Sequence, residues 1–133
     1  MSQRVVTAEW GGGPLRCTVR TERGFLVPVD EPVASGGTDA APQPTDLFLA
    51  SVASCFTLAV IYAARRRGVD LQDVTVEVTG TYDGPRFAAV EMDVRLVGVP
   101  EDEHADLIAA AEQVCYVTRT LRDPPSISIK AHA

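Results

Sequence analysis

The sequence predicts an α+β fold, a mostly antiparallel sheet packed on one long central helix. Three observations lead there. An uncharged run, LFLASVASCFTLAVIYAA at residues 47–64, is long enough for a helix that crosses a whole domain. Apolar residues alternate with polar ones in the flanking stretches, the period of half-buried strands. Strand and helix patterns are also segregated along the chain rather than strictly alternating. With 133 residues the chain is expected to form a single domain, residues 1–133, with a sizeable core.

Residues 5–10 read as a strand, and Gly11, Gly12, Gly13 and Pro14 as the turn after it. A second strand follows, with Leu15, Cys17 and Val19 on one face and Arg16, Thr18 and Arg20 on the other. Glu22, Arg23 and Gly24 break it, and residues 25–29 form a third strand. Residues 30–43 are a long loop rich in Pro, Gly and Ala, a length that often signals function or contact with a partner. The long helix starts near Pro44, since proline suits a first turn where its missing N–H had no partner. Asp46 favours the positive end of the helix dipole; Arg65, Arg66 and Arg67 favour the other end, and Gly68 caps it. That placement accounts for the triple arginine without a binding role.

Val74, Val76 and Val78 alternate with Thr75, Glu77 and Thr79, and Val90, Met92, Val94 and Leu96 with Glu91, Asp93 and Arg95. Asp83, Gly84 and Pro85 turn between them, so the two strands form an antiparallel pair. Pro100, Glu101, Asp102 and Glu103 open a second helix, on which Leu107, Ile108, Ala111, Val114 and Cys115 share an apolar side. Cys115 lies near the end of that helix; Asp123, Pro124 and Pro125 stop the chain, and residues 126–131 alternate as a last strand.

Composition removes several function classes. A net charge of −6 argues against nucleic acid as a partner, because that binding is dominated by phosphate neutralisation. The opening MSQRVVTAEW has no apolar core of a secretory leader, and three cysteines fit a reducing cytoplasm better than a disulfide scaffold. The 47–64 run reaches transmembrane length. Its Ser51, Ser54, Cys55 and Thr57, and its many alanines, favour instead a helix buried among protein neighbours, so no membrane partner is expected.

No G-x-S-x-G, P-loop or G-x-G-x-x-G occurs, and GGGP has no following helix to hold a phosphate. His104 sits in an acidic helix start and His132 beside the C-terminus, and three scattered cysteines lack zinc-site spacing, so neither a metal nor a histidine triad is expected. The remaining chemistry lies in Cys55 and Cys115, each near small or apolar neighbours at helical spacing. Residue types alone leave them open as inert core thiols or as a redox pair joined by the fold. Cys17 alternates with Leu15 and Val19 on a strand and reads as structural.

The stretch PTDLFLASVASC, residues 44–55, resembles the cysteine motif of the OsmC/Ohr family of thiol peroxidases, and AAEQVC at 110–115 resembles its second. VDEP at 29–32, GGTDAAPQP at 36–44 and GVDLQDVTVEVTGTYDG at 68–84 are similar to the OsmC-like branch. The resemblance implies the OsmC-like fold and an intertwined homodimer. It implies that Cys55 attacks an organic hydroperoxide and becomes a sulfenic acid, that Cys115 condenses with it to a disulfide, and that an external dithiol, typically a lipoyl group, restores both thiols. No bound cofactor is implied. Phe48, Phe56 and Leu58 are available to line an apolar substrate pocket.

Desolvation disfavours a thiolate, and only the thiolate reacts, so the chemistry needs a cation near Cys55. The family supplies an arginine held by a glutamate at the start of the helix. Thr45 stands at the glutamate's position, and Asp46, nine residues before Cys55, points roughly to the opposite side of the helix. Arg16 is the best candidate for the arginine, with Arg20 the alternative, and either can come from the second subunit. Tyr116 follows Cys115 where relatives commonly have proline. A second function is compatible with the same residues: a non-catalytic protein that binds a small apolar ligand.

Overall fold

The computed structural model describes residues 1–133. The chain divides into two compact units, Met1–Phe48 and Leu49–Ala133, with the boundary inside the long helix.

The first unit is an antiparallel meander of β1 (Val6–Glu9), β2 (Arg16–Thr21) and β3 (Leu26–Asp30), in that spatial order. Register sets Ala8 opposite Val19 and Val19 opposite Val27, while Cys17 faces Val29. As the alternation requires, Cys17 and Val19 lie half-buried on one face of β2, and Arg16, Thr18 and Arg20 are exposed on the other. The long loop after β3 is organised by one side chain. Asp30 is buried, and its Oδ1 accepts the N–H groups of Glu31 (2.8 Å) and Thr38 (2.9 Å). Its Oδ2 accepts the Thr38 hydroxyl and the Ala40 N–H (3.1 Å). Gly37 fills the tightest point, since a Cβ there would lie 2.0 Å from the Glu31 carbonyl oxygen.

The long helix α1 spans Pro44–Arg67. Gln43 precedes it, and the Asp46 carboxylate accepts the Gln43 N–H at 3.0 Å, the return half of a capping box. At the other end Gly68 takes φ +67°, and Val69 N–H reaches the Ala64 carbonyl at 2.9 Å, closing the C-terminus in the left-handed conformation that glycine adopts without a Cβ penalty. By length and composition α1 could cross a membrane. It instead buries Val52, Phe56, Ala59, Val60, Ala63 and Ala64.

In the second unit β4 (Asp73–Asp83) and β5 (Arg86–Val97) form the expected antiparallel pair, with one register shift at Thr81/Tyr82. Their half-buried Val74, Val76, Met92, Val94 and Leu96 pack on the α1 core residues. Two short helices follow, α2 (His104–Val114) and α3 (Tyr116–Arg122). Leu107 and Ala111 of α2 are fully enclosed.

One expectation is corrected. Residues 126–131 form no strand: Ile127 and Ile129 are exposed, and the stretch pairs with neither sheet, so its alternation has no ladder to join. Cys115 lies at the end of its helix, as expected. Cys115 adopts an extended conformation (φ −84°, ψ 103°) that ends α2 and starts α3.

Candidate functional site

Cys55, Leu58, Ala59 and Tyr62 recur at i, i+3, i+4 and i+7, which places them on one stripe of α1. Opposite that stripe stand Gln113 and Val114 at the end of α2 and Tyr116 at the start of α3. Together these seven residues line a cavity of about 500 Å³. Its wall is mostly hydrocarbon and aromatic ring, with the Cys55 thiol, the Gln113 amide and the two tyrosine hydroxyls as polar groups. Such a cavity suits a small apolar molecule with one polar end.

Cys115 does not line this cavity. It is fully buried, in the core cluster with Phe56, Ala59, Val60 and Leu107, and Cys55 is partly buried against the same cluster. The fold therefore brings both cysteines, remote in sequence, to one cluster of the second unit, each as a free thiol. The Cys115 Sγ lies 3.0 Å from the Thr118 Oγ1, a buried hydrogen bond within the first turn of α3. The elbow between α2 and α3 is tied on its outer side as well. Arg119 Nη1 donates to Gln113 Oε1 at 3.2 Å, and Arg122 Nε to Glu112 Oε1 at 2.9 Å.

The expected pocket residues separate. Leu58 lines the cavity. Phe56, next to Cys55 but about 100° further round the helix, is turned into the core and does not line it. Phe48 falls in the first unit and is likewise not part of the wall. Tyr62, Gln113, Val114 and Tyr116 line the cavity without having been expected there. Tyr62 was accessible to reasoning, because it lies two helical turns beyond Cys55 on the same stripe; the other three depend on how α2 packs.

Arg16 is on β2 in the first unit. There it lines an apolar cavity of about 370 Å³ with Trp10, Leu15, Cys17, Val29 and Pro44, next to Asp30 and Glu31. It forms no ion pair in the chain. Within the second unit, a smaller cavity of about 220 Å³ shares Tyr62 and Val114 with the Cys55 cavity and is lined by Arg66 and Arg67. Asp46 is committed to the Gln43 N–H as a helix cap.

Comparison with known proteins adds to this geometry. A family model described as OsmC-like protein matches residues 36–130. No curated protein matches the chain. Among solved structures, an organic hydroperoxide resistance protein from Elizabethkingia anophelis with thiocyanate bound is 28% identical, with a TM-score of 0.70 over 90% of this chain and 89% of that one. One from Legionella pneumophila, described as an organic hydroperoxide resistance protein OsmC, is 26% identical with a TM-score of 0.68, over 92% and 90% of the two chains. The fold is also shared with an organic hydroperoxide resistance protein of Bacillus subtilis, 20% identical, TM-score 0.63, over 92% and 93%.

Proposed function

Because this chain belongs to the OsmC-like protein family, we propose that it is a thiol-dependent peroxidase that reduces organic hydroperoxides through Cys55 and Cys115. The observation that carries the reading is the shared cluster of the two cysteines, with Cys55 also on the wall of an apolar cavity of about 500 Å³. The hydroperoxide-resistance descriptions of the Elizabethkingia and Legionella structures support the same role.

In this reading the hydroperoxide lies along Leu58, Ala59 and Tyr62 with its O–O bond at Cys55. The Cys55 thiolate attacks one peroxide oxygen. An S–O bond forms, the O–O bond breaks, and the departing alkoxide takes a proton and leaves as the alcohol. Cys55 is now a sulfenic acid. The Cys115 sulfur then attacks the Cys55 Sγ, the S–S bond forms, and hydroxide leaves as water with the thiol proton. An external dithiol, such as a lipoyl group, attacks the disulfide and finishes as its own cyclic disulfide, so its two electrons restore both thiols. Arg16 is assigned the cation that stabilises the Cys55 thiolate, supplied by the second subunit of a homodimer. A cytoplasmic setting fits the need for reduced thiols.

Reduced protein treated with one equivalent of an organic hydroperoxide tests this. The expected result is consumption of the peroxide with a disulfide between Cys55 and Cys115, identified by peptide mass spectrometry. Cys55→Ser abolishes consumption, and Cys115→Ser leaves a trappable sulfenic acid on Cys55. Two free thiols after treatment reject the reading.

Thr45, where the family has its glutamate, favours a second reading, a binder of small apolar molecules without turnover. That reading expects intact thiols in the same experiment and an apolar molecule extractable from the purified protein.

A further inference from the structure

Cys115 occupies an unusual place for a thiol. Its backbone leaves the helical conformation between α2 and α3, and its carbonyl accepts the Arg119 N–H at 3.0 Å, the first hydrogen bond of α3. It thus stands at the N-cap position, where Ser, Thr, Asp or Asn is the usual residue. Its side chain does not cap a backbone N–H. It points instead to the Thr118 hydroxyl three residues on, with Sγ and Oγ1 3.0 Å apart and both residues buried, at 0% and 6% exposure.

A buried sulfur in apolar surroundings has no water to turn to. As a neutral thiol it can donate weakly to Thr118 Oγ1. As a thiolate it can only accept, so the hydroxyl must rotate and donate to it. A threonine hydroxyl serves both states without moving a heavy atom. The rest of the cluster around the sulfur is hydrocarbon: Phe56, Ala59, Val60, Leu107 and Ala111.

We infer that Thr118 is the positioning residue of Cys115, holding its sulfur toward the cluster it shares with Cys55 and donating a hydrogen bond as the negative charge of the attacking sulfur develops. This rests on the proposed roles of the two cysteines and extends them to a residue outside both cysteine motifs. In the closing step the Cys115 thiol proton leaves, its electron pair forms the S–S bond to Cys55, and the group on Cys55 departs with the pair from the broken bond. The same hydrogen bond acts in reverse when a reductant attacks Cys55 and Cys115 leaves as the thiolate.

A peroxide-free reaction tests the inference. Reduced protein carrying Cys17→Ser is mixed with an aromatic disulfide reagent that releases a coloured thiolate. Labelling of Cys55 gives a first release that scales with reagent concentration. Attack by Cys115 on the resulting mixed disulfide gives a second release that does not. Thr118→Val keeps the shape and removes the hydroxyl, and the second release is expected to slow about 10- to 100-fold, the range of a hydrogen bond to a charged group. Thr118→Ser is expected to restore it to within about threefold, and the first release is expected to be unchanged in both variants.

An unaltered second release in Thr118→Val overturns the inference. So does a Thr118→Ser variant as slow as Thr118→Val, which would make the role one of packing. A parent protein with no second release overturns it too, because Cys115 then does not reach Cys55. Hydroperoxide consumption is measured separately on the same parent. If that fails while the second release still depends on Thr118, the peroxidase reading falls and the inference stands.

Discussion

Asp30 organises the loop that follows β3. It is 2% exposed, and its carboxylate collects four hydrogen bonds from the loop it opens. The Thr38 hydroxyl contributes most to holding its pKa well below the ordinary carboxylate range, and the Thr38 N–H comes next. Burial pushes the other way, and the N–H groups of Ala40 and Glu31 add to the lowering. A folded value below the unfolded one means stabilisation that is complete above the unfolded pKa and is lost as pH falls through the folded one. The loop's stability is therefore expected to be flat near neutrality and to decline below about pH 4. Asp30→Asn is expected to loosen the loop at neutral pH and to flatten that acid decline, read by amide exchange at Glu31, Thr38 and Ala40 across pH. Exchange at these amides with the same pH profile in parent and variant would remove Asp30 from this role. This role was not legible in the sequence, where Asp30 opened a loop and stood in the VDEP stretch with no partner indicated. Its partners lie 1, 8 and 10 residues on, a spacing that belongs to no periodic element. What was legible around Cys55 and Cys115 was the family, because the surrounding motifs matched one that the comparison bears out.

At the scale of elements, patterning with strong period was read correctly. Helix α1 begins at Pro44 and ends before Gly68 as the caps dictate, and β4 and β5 pair as their alternation required. Failures came where the outcome depended on something the chain does not encode locally. The helix end near Cys115 was expected, but the restart as α3 directly after it was not, since neither proline nor glycine stands there to signal it. Tyr116 is the first residue of α3, a position where proline is favoured. The 126–131 alternation promised a strand, but a strand needs an edge, and periodicity says nothing of whether one is offered. The β4–β5 hairpin makes a sharper claim. Gly80 lies half-buried on β4, and a Cβ there would be 2.6 Å from the Phe87 ring and 3.0 Å from Leu49 Cδ2, beside the Tyr82–Phe87 ring stack at 4.6 Å. Gly80→Ala is expected to destabilise the protein by about 1–3 kcal/mol through overpacking. Urea unfolding checks this as a lower midpoint at unchanged slope. An unshifted midpoint would mean that the Phe87 ring swings aside at no cost.

The whole molecule raises the question of what covers the first unit. Val29 and Asp30 are its only buried residues, while Trp10, Leu15, Phe25 and Leu26 remain exposed. A three-stranded sheet with one enclosed apolar side chain has too little core to order itself. In the second unit Leu58 and Tyr116, on the wall of the Cys55 cavity, are 66% and 82% exposed. Exposed apolar surface of this extent is what a partner would be expected to cover. The homodimer in the proposed function covers such surface with a second copy and supplies Arg16 to a cavity wall with no charged residue of its own. Light scattering at micromolar concentration is then expected to give twice 14.2 kDa, and Tm is expected to rise with protein concentration. Complementation carries the argument to the proposed site. Arg16→Ala is expected to slow Cys55 oxidation by about 100-fold, the effect of removing one charge-stabilising group, and Cys55→Ser has no nucleophile. Each homodimer is thus inactive. Unfolded together and refolded, they form mixed dimers in which the Cys55 of one subunit meets the Arg16 of the other, at one site of two. With half the dimers mixed, about a quarter of the parent activity returns if the arginine crosses between subunits. If it acts within its own chain, every intact Cys55 still lacks its cation and none returns.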